Sequence, residues 1–135
     1  MSSRLDRLCG PQGPLTKEPP NDPEIEGLLR SAESRLVDAE NRQLSLDSRF
    51  DLAYGAAHAL SAAALRRQGY RARQRYIVFQ VLDETLGVAP EVWRVLAACH
   101  EKRNVAEYEG ELRVSLALVE ELIDNCKILL AKFRA

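Results

Sequence analysis

A chain of 135 residues, 46% of them hydrophobic, is long enough to form one domain with an apolar core. The formal net charge of −1 provides no overall field that would favour nucleic acid or a membrane surface. Three widely spaced cysteines lack the spacing of a zinc site or a disulfide framework. We therefore expect reduced thiols in a cytoplasmic protein, with no metal and no other cofactor.

The first part of the chain differs in composition from the rest. Five of the six prolines lie within the first 23 residues, together with Gly10 and Gly13 and few large apolar side chains. Such a segment cannot bury enough surface to offset the entropy lost on ordering it. We predict a flexible tail over residues 1–22, with an ordered arm that reaches onto a partner subunit as the less favoured alternative, and a single helical domain over residues 23–135.

Apolar spacing, capping residues and glycines predict five helices in that domain. Their approximate ranges are 21–39, 45–68, 79–87, 90–108 and 115–133. No segment shows the alternation typical of a strand, and the connections are short. The predicted fold class is all-α, an antiparallel up-and-down bundle of about five helices.

The second predicted helix is apolar on nearly every side between residues 52 and 65, interrupted only by Gly55, His58 and Ser61. This run is shorter than the ~20 residues that cross a bilayer, so we expect no membrane association. A helix that is apolar all round is buried all round, as the central helix or at a subunit interface. Its many alanines allow close approach of neighbours, and we predict a homodimer. His58 is here more typical of a core histidine than of a metal ligand.

The end of the fourth predicted helix carries the main candidate site. His100, Arg103, Asn104, Glu107 and Tyr108 follow at helical spacing along one side. They offer an imidazole, a cation, an amide, a carboxylate and a phenol to one ligand, and the planar donors of arginine suit a phosphate. The alternative is a structural network, with Arg103 paired to Glu107 and Tyr108 closing the helix terminus. Both interpretations fit the residues.

A second candidate is a segment in which arginines and tyrosines alternate. Its members are Arg66, Arg67, Tyr70, Arg71, Arg73 and Arg75. Such a patch suits RNA or single-stranded nucleic acid, through phosphate contacts and stacking. The alternative, which we favour, is a solvated helix C-terminus whose cations complement the helix dipole.

Residues 49–70, an alanine-rich helix stopped by Gly69, and residues 103–108, reading Arg-Asn-Val-Ala-Glu-Tyr, resemble the HEPN superfamily of helical nucleotide-binding domains. The likeness spans roughly residues 25–133. It implies a bundle that dimerises with its signature arginines facing a shared cleft. Many members are metal-independent RNases, often toxins that act with a nucleotidyltransferase partner. Their motif has a histidine where this chain has Tyr108, and a phenol with a pKa near 10 is a poor general base.

We therefore expect an HEPN-like homodimer that binds RNA, a nucleotide or a partner protein through a cleft centred on Arg103. The resemblance also implies a toxin–antitoxin type module with a nucleotidyltransferase or antitoxin-like protein partner. One alternative is a metal-independent RNase that uses Arg103 with Tyr108 or His100. Another is a pure protein-interaction module that docks through the N-terminal tail. Common enzyme motifs such as the P-loop and the zincin helix are absent from the sequence.

Overall fold

The structure, a computed structural model, describes residues 3–135 and is mostly helical. Its elements in chain order are α1 (Arg4–Arg7), β1 (Leu15–Lys17), α2 (Asp22–Ala39), α3 (Leu46–Arg67), β2 (Tyr70–Ala72), α4 (Ile77–Gln80), α5 (Leu82–Thr85), α6 (Pro90–Glu109) and α7 (Leu116–Arg134). Within residues 3–135, no helix combines the length and the apolar character needed to cross a membrane. The predicted all-α class is confirmed, with the addition of one small two-stranded sheet.

Helices α2 and α3 run antiparallel and share the most extensive helix–helix interface. Near the start of α3, the buried Arg49 donates from Nε to the carbonyl of Ala39 at the end of α2, at 2.8 Å. Near the end of α3, Arg66 pairs with Glu24 at the start of α2, with 3.0 Å between Nε and Oε1. Arg49 thereby satisfies a carbonyl that a helix C-terminus leaves without a partner.

Helix α7 also packs against α2, and the two helices run antiparallel. Arg134 at the end of α7 pairs with Glu33, at 2.7 Å. Lys127, nearer the start of α7, pairs with Glu40 just past the end of α2, at 3.5 Å. One face of this helix is buried in the core, with Val119, Leu122, Ile123, Cys126, Leu129 and Phe133.

Helix α3 is the central helix of the bundle. It contacts α2, α7, β2 and the short helices α4 and α5, and buried alanines and leucines occur on all its sides. Ser45 caps its N-terminus, and Gly69 just past its end has φ 92°, a conformation that glycine adopts at little cost. The all-round apolar sequence of α3 is therefore accounted for within one chain.

The structure corrects the predicted third helix, which is broken rather than continuous. Helices α4 and α5 are one turn each and are separated at Val81. Apolar residues are buried at nearly every position from Ile77 to Leu82. A straight helix would turn some of these side chains towards solvent, whereas the break at Val81 lets both turns face the core.

The structure also corrects the predicted flexible tail, of which residues 1 and 2 lie outside the described residues. Strand β1 pairs antiparallel with β2, with Leu15 opposite Ala72. Leu5 and Leu15 are buried in the core. The composition argument failed because it counted only the apolar surface of the segment itself, whereas β2 pairs with β1 and both leucines join the core cluster formed by the rest of the chain.

Candidate functional site

Polar side chains from α6 meet one face of α3 at the candidate site. The hydroxyl of Tyr54 and Nδ1 of His100 are hydrogen-bonded at 3.0 Å. One turn earlier in α3, Asp51 forms an ion pair with Arg103, which lies one turn later in α6. These two contacts show that α6 runs antiparallel to α3, so successive long helices of the bundle alternate in direction.

His100 is held in one orientation from three sides. Its ring stacks on Tyr76, with 3.9 Å between centroids and 17° between planes. The amide nitrogen of Asn104 lies 3.2 Å from Nε2. An amide that donates to Nε2 leaves the ring proton on Nδ1, from which it is donated to the oxygen of Tyr54. The imidazole therefore has a partner at each nitrogen and an aromatic ring against one face.

The two tyrosines of the site bring no negative charge to it at neutral pH. Burial raises the pKa of Tyr54, although the nearby charges of Arg103 and Arg75 act in the opposite direction. Burial, followed by the charge of Glu101, raises the pKa of Tyr76. Both phenols therefore stay protonated, and neither repels an anion.

Arg103 lies at the open edge of this cluster. Its guanidinium is 5.2 Å from the centroid of the Tyr54 ring. The ion pair with Asp51 is accessible, since the two side chains are 40% and 53% exposed. Beside it lies a groove of about 270 Å³, lined also by Glu107 and Leu112. An exposed pair contributes only about 0–1 kcal/mol, so an anion from solution can compete with Asp51 for Arg103.

The last two residues of the predicted stripe do not join the cluster. Glu107 lines the groove, but within the described chain Arg103 pairs with Asp51 and not with Glu107. Tyr108 is 92% exposed, so it neither closes the helix terminus nor packs on the neighbouring side chains. Helix α6 ends instead at Gly110, which has φ 74°.

The arginine-rich segment is largely occupied by internal contacts. The side chain of Arg66 is only 4% exposed; it pairs with Glu18 and Glu24 and donates to three backbone carbonyls. Arg71 binds the same two carboxylates, at 2.6 and 2.9 Å. These four charges neutralise one another and fasten the N-terminal segment to the end of α3.

The other members of that segment are also mostly engaged. Arg67 donates to the carbonyl of Phe133 at 2.8 Å, and its guanidinium is 3.9 Å from the centroid of that ring. Arg73 donates to a carbonyl of the N-terminal segment, and Tyr70 to a carboxylate of α1. Among residues 3–135, Arg75 makes neither an ion pair nor a side-chain hydrogen bond, so the segment does not present a continuous basic surface.

The cysteines and acidic residues provide no site of their own. Cys9, Cys99 and Cys126 are free thiols, and burial raises the pKa of Cys99 and Cys126 to about 12. Within the described part of the chain, no three histidine, cysteine, aspartate or glutamate side chains are grouped so that they could hold a metal ion.

Sequence reasoning missed Asp51, Tyr54 and Tyr76 as site residues. A signal existed for the first two, because with His58 they form a polar stripe at steps of three and four on an otherwise apolar helix. Tyr76 gave no such signal, because its position against His100 depends on how the chain between β2 and α4 folds back.

Comparison with known proteins gives no match: no protein-family model, curated protein or solved structure corresponds significantly to this chain. A functional assignment therefore depends on the geometry around His100 and Arg103.

Proposed function

We propose that the chain binds single-stranded RNA at the surface formed by Arg103, His100, Tyr54 and Tyr76, which we call the Arg103 surface, and that it does so without cleaving the strand. The observation that carries the proposal is an accessible guanidinium beside a stacked pair of aromatic rings. Proteins that bind single strands combine cations for the phosphates with aromatic rings for the bases. The Arg103 surface offers both, since His100 lies one turn before Arg103 on α6.

The phosphate reaches Arg103 by displacing Asp51. Because this pair is half-exposed, its loss costs about 1 kcal/mol or less, whereas a bond from a guanidinium to a phosphate is charge-assisted and bidentate. A base then extends the stack of Tyr76 and His100, both of which are partly exposed. With few cations at the surface, binding is weak and its dependence on salt is shallow, with a slope of about −0.7 for each phosphate contacted.

The test is the affinity of the protein for a short fluorescent RNA, measured by anisotropy at low salt. Arg103→Ala should weaken binding about tenfold or more, because a hydrogen bond to a charged group is lost. Tyr76→Leu should also weaken it, since stacking contributes about 1–3 kcal/mol per base.

The matched control is Arg30→Ala on α2, which removes an exposed arginine that also pairs with one glutamate. It should leave the affinity unchanged. Circular dichroism confirms that each variant is folded. Equal affinities for Arg103→Ala and the wild type, or no binding by the wild type, would contradict the proposal.

We further propose an HEPN-like homodimer in which two Arg103 surfaces share one cleft, as the resemblance implies. The support is a bundle of long alternating helices with Arg103 at the accessible end of α6. Sedimentation at micromolar concentration should give a species of twice the 15.1 kDa chain mass. A monomer at all concentrations would contradict the dimer but not the binding of RNA. An antitoxin-like or nucleotidyltransferase partner in a toxin–antitoxin module stays a prediction of the resemblance.

A second candidate function is metal-independent RNA cleavage, in which His100 acts as a general acid or base. The observation that favours it is that Nε2 of His100, one turn of α6 before Arg103, is bonded to an exposed amide, that of Asn104, which a bound strand can displace. Tyr108 does not fit this role, because it is 92% exposed and outside the cluster. Cleavage by the wild type in EDTA that is lost in His100→Gln would support it. Intact RNA after long incubation with the wild type would exclude it.

A further inference from the structure

A second cavity, of about 220 Å³, lies one turn further along α3, between α2, α3 and β2. Leu28 from α2, Ala62 from α3 and Val78 from α4 form much of its wall, which is therefore largely apolar. Four charged residues also line it: Glu24, Arg66, Arg71 and Arg75. A cavity with apolar walls and a few converging polar groups is the usual form of a site for a small molecule.

The charges beside this cavity leave one cation without a counter-ion. Arg66 and Arg71 line the cavity, but Glu18 and Glu24 neutralise them. Arg75 also lines it and, over residues 3–135, makes no ion pair. The net charge beside the cavity is therefore one positive unit, carried by Arg75.

His58 contributes a neutral imidazole to the wall of this cavity. Its ring lines the cavity and meets Phe79 edge-on, with 5.9 Å between centroids. Its Nε2 is buried and, in the described part of the chain, has no hydrogen-bond partner. Burial lowers the pKa of His58 to about 4, so the ring is neutral at pH 7. The neutral ring therefore adds no charge beside Arg75.

We propose that this cavity binds a small carboxylate that carries a compact apolar group. The carboxylate pairs with Arg75 and lies beside the imidazole of His58, while the apolar group packs against Leu28, Ala62 and Val78. A short branched acid such as isovalerate is small enough for a cavity of about 220 Å³ and carries both groups. A single positive charge matches a monoanion, whereas a phosphate dianion would keep an unpaired charge against apolar walls. This site does not depend on the binding of RNA.

The test is titration calorimetry and thermal unfolding of the full chain with sodium isovalerate, against acetate and inorganic phosphate at equal ionic strength. Isovalerate should bind with a millimolar Kd and raise the Tm. Acetate should bind about fiftyfold more weakly, since it lacks three carbons of the buried apolar group. Equal binding of phosphate and isovalerate, or no binding of isovalerate at tens of millimolar, would overturn the proposal.

Two variants test whether isovalerate binds in this cavity, and a third variant is their control. Arg75→Ala should reduce the affinity about tenfold, because it removes a charge-assisted contact. Ala62→Leu fills the cavity, keeps every charge and should abolish the binding. Arg73→Ala removes a neighbouring exposed arginine that bonds only to a backbone carbonyl, and it should leave the affinity as in the wild type. Isovalerate binding that survives in a folded Ala62→Leu protein would exclude this cavity.

Discussion

Replacing His58 with phenylalanine should remove an acid sensitivity of the folded state. The imidazole is largely buried against Phe79, and its Nε2 has no hydrogen-bond partner in the described part of the chain. Arg75 lies close enough for its charge to oppose protonation, in addition to the larger effect of burial. Protonating this ring therefore places a second cation beside Arg75 in a poorly solvated position. Phenylalanine keeps a flat ring there and cannot be protonated.

The magnitude follows from the two pKa values. The pKa of His58 is about 4 in the folded chain, against an ordinary value of about 6.5 when unfolded. Between these values the unfolded chain binds a proton that the folded chain does not, so stability is complete above pH 6.5 and falls as the pH drops towards 4. From pH 7 to pH 5, the free energy of unfolding should fall by about 2 kcal/mol from this residue.

Carboxylates also make the folded state less stable as the pH falls, but they do so at lower pH than His58. Hydrogen bonds from Tyr70 and Arg71 lower the pKa of Asp6 and of Glu18, respectively. The stability that these groups contribute is lost below their ordinary pKa values of about 4. The range from pH 7 to 5 therefore separates the histidines from most of the carboxylate contribution.

The assay is urea unfolding followed by circular dichroism at pH 7, 6 and 5. The wild type should lose about 2 kcal/mol across this range, and His58→Phe should lose little. His100→Gln leaves His58 in place and should keep the loss of about 2 kcal/mol that His58 causes. An equal loss in His58→Phe and the wild type would refute the reasoning.

Three further outcomes are expected from the same unfolding assay. Arg66→Met should lower the free energy of unfolding by about 3–5 kcal/mol, because Glu18 and Glu24 lose a buried partner; a loss near zero would mean that Arg71 alone holds them. Leu15→Ala should cost about 2–5 kcal/mol, since its side chain is fully buried, whereas a residue in a flexible tail would cost nothing. Tyr108→Ala should change stability by no more than about 0.5 kcal/mol and should leave RNA affinity unaltered, because the side chain is exposed.

The long helices could be predicted because their signals are local. Asn21 accepts from the backbone amide of Glu24 at 2.9 Å, as expected of an N-cap, and Ser45 and Pro90 begin their helices where the sequence places them. The packing of the N-terminal segment could not be predicted in this way. The pairing of Leu15 with Ala72 joins residues far apart in the sequence, and a composition argument does not include such contacts.

The site was predictable along one helix but not across two. Helical spacing brought together His100, Arg103 and Asn104, and two of them do interact, at 3.2 Å. Tyr108 was placed with them wrongly. Five residues at 100° each turn it about 140° around the helix from Arg103, towards solvent. The pairing of Arg103 with Asp51 rather than Glu107 depends on the packing of α6 against α3, which a pattern along α6 does not contain.

For the arginine-rich segment, too, the partners of the side chains could not be predicted from the sequence. Five cations close together in sequence suggested either a nucleic-acid patch or a solvated helix end. In the structure, Arg66 and Arg71 are bound by Glu18 and Glu24, and Arg67 by a carbonyl of α7. Those partners come from other parts of the chain, so only the fold distinguishes an engaged arginine from an available one.

The RNA affinity of Asp51→Asn is the most direct measure of whether Arg103 is the phosphate-binding group. Removing the carboxylate that competes for Arg103 should strengthen binding about two- to fivefold, the equivalent of an exposed ion pair of up to ~1 kcal/mol. Asp47→Asn makes the same charge change at an exposed position of the same helix and controls for the general effect of charge. Tighter binding by Asp51→Asn than by Asp47→Asn is the result predicted here. Equal or weaker binding by Asp51→Asn would contradict the assignment of Arg103 as the residue that holds the phosphate.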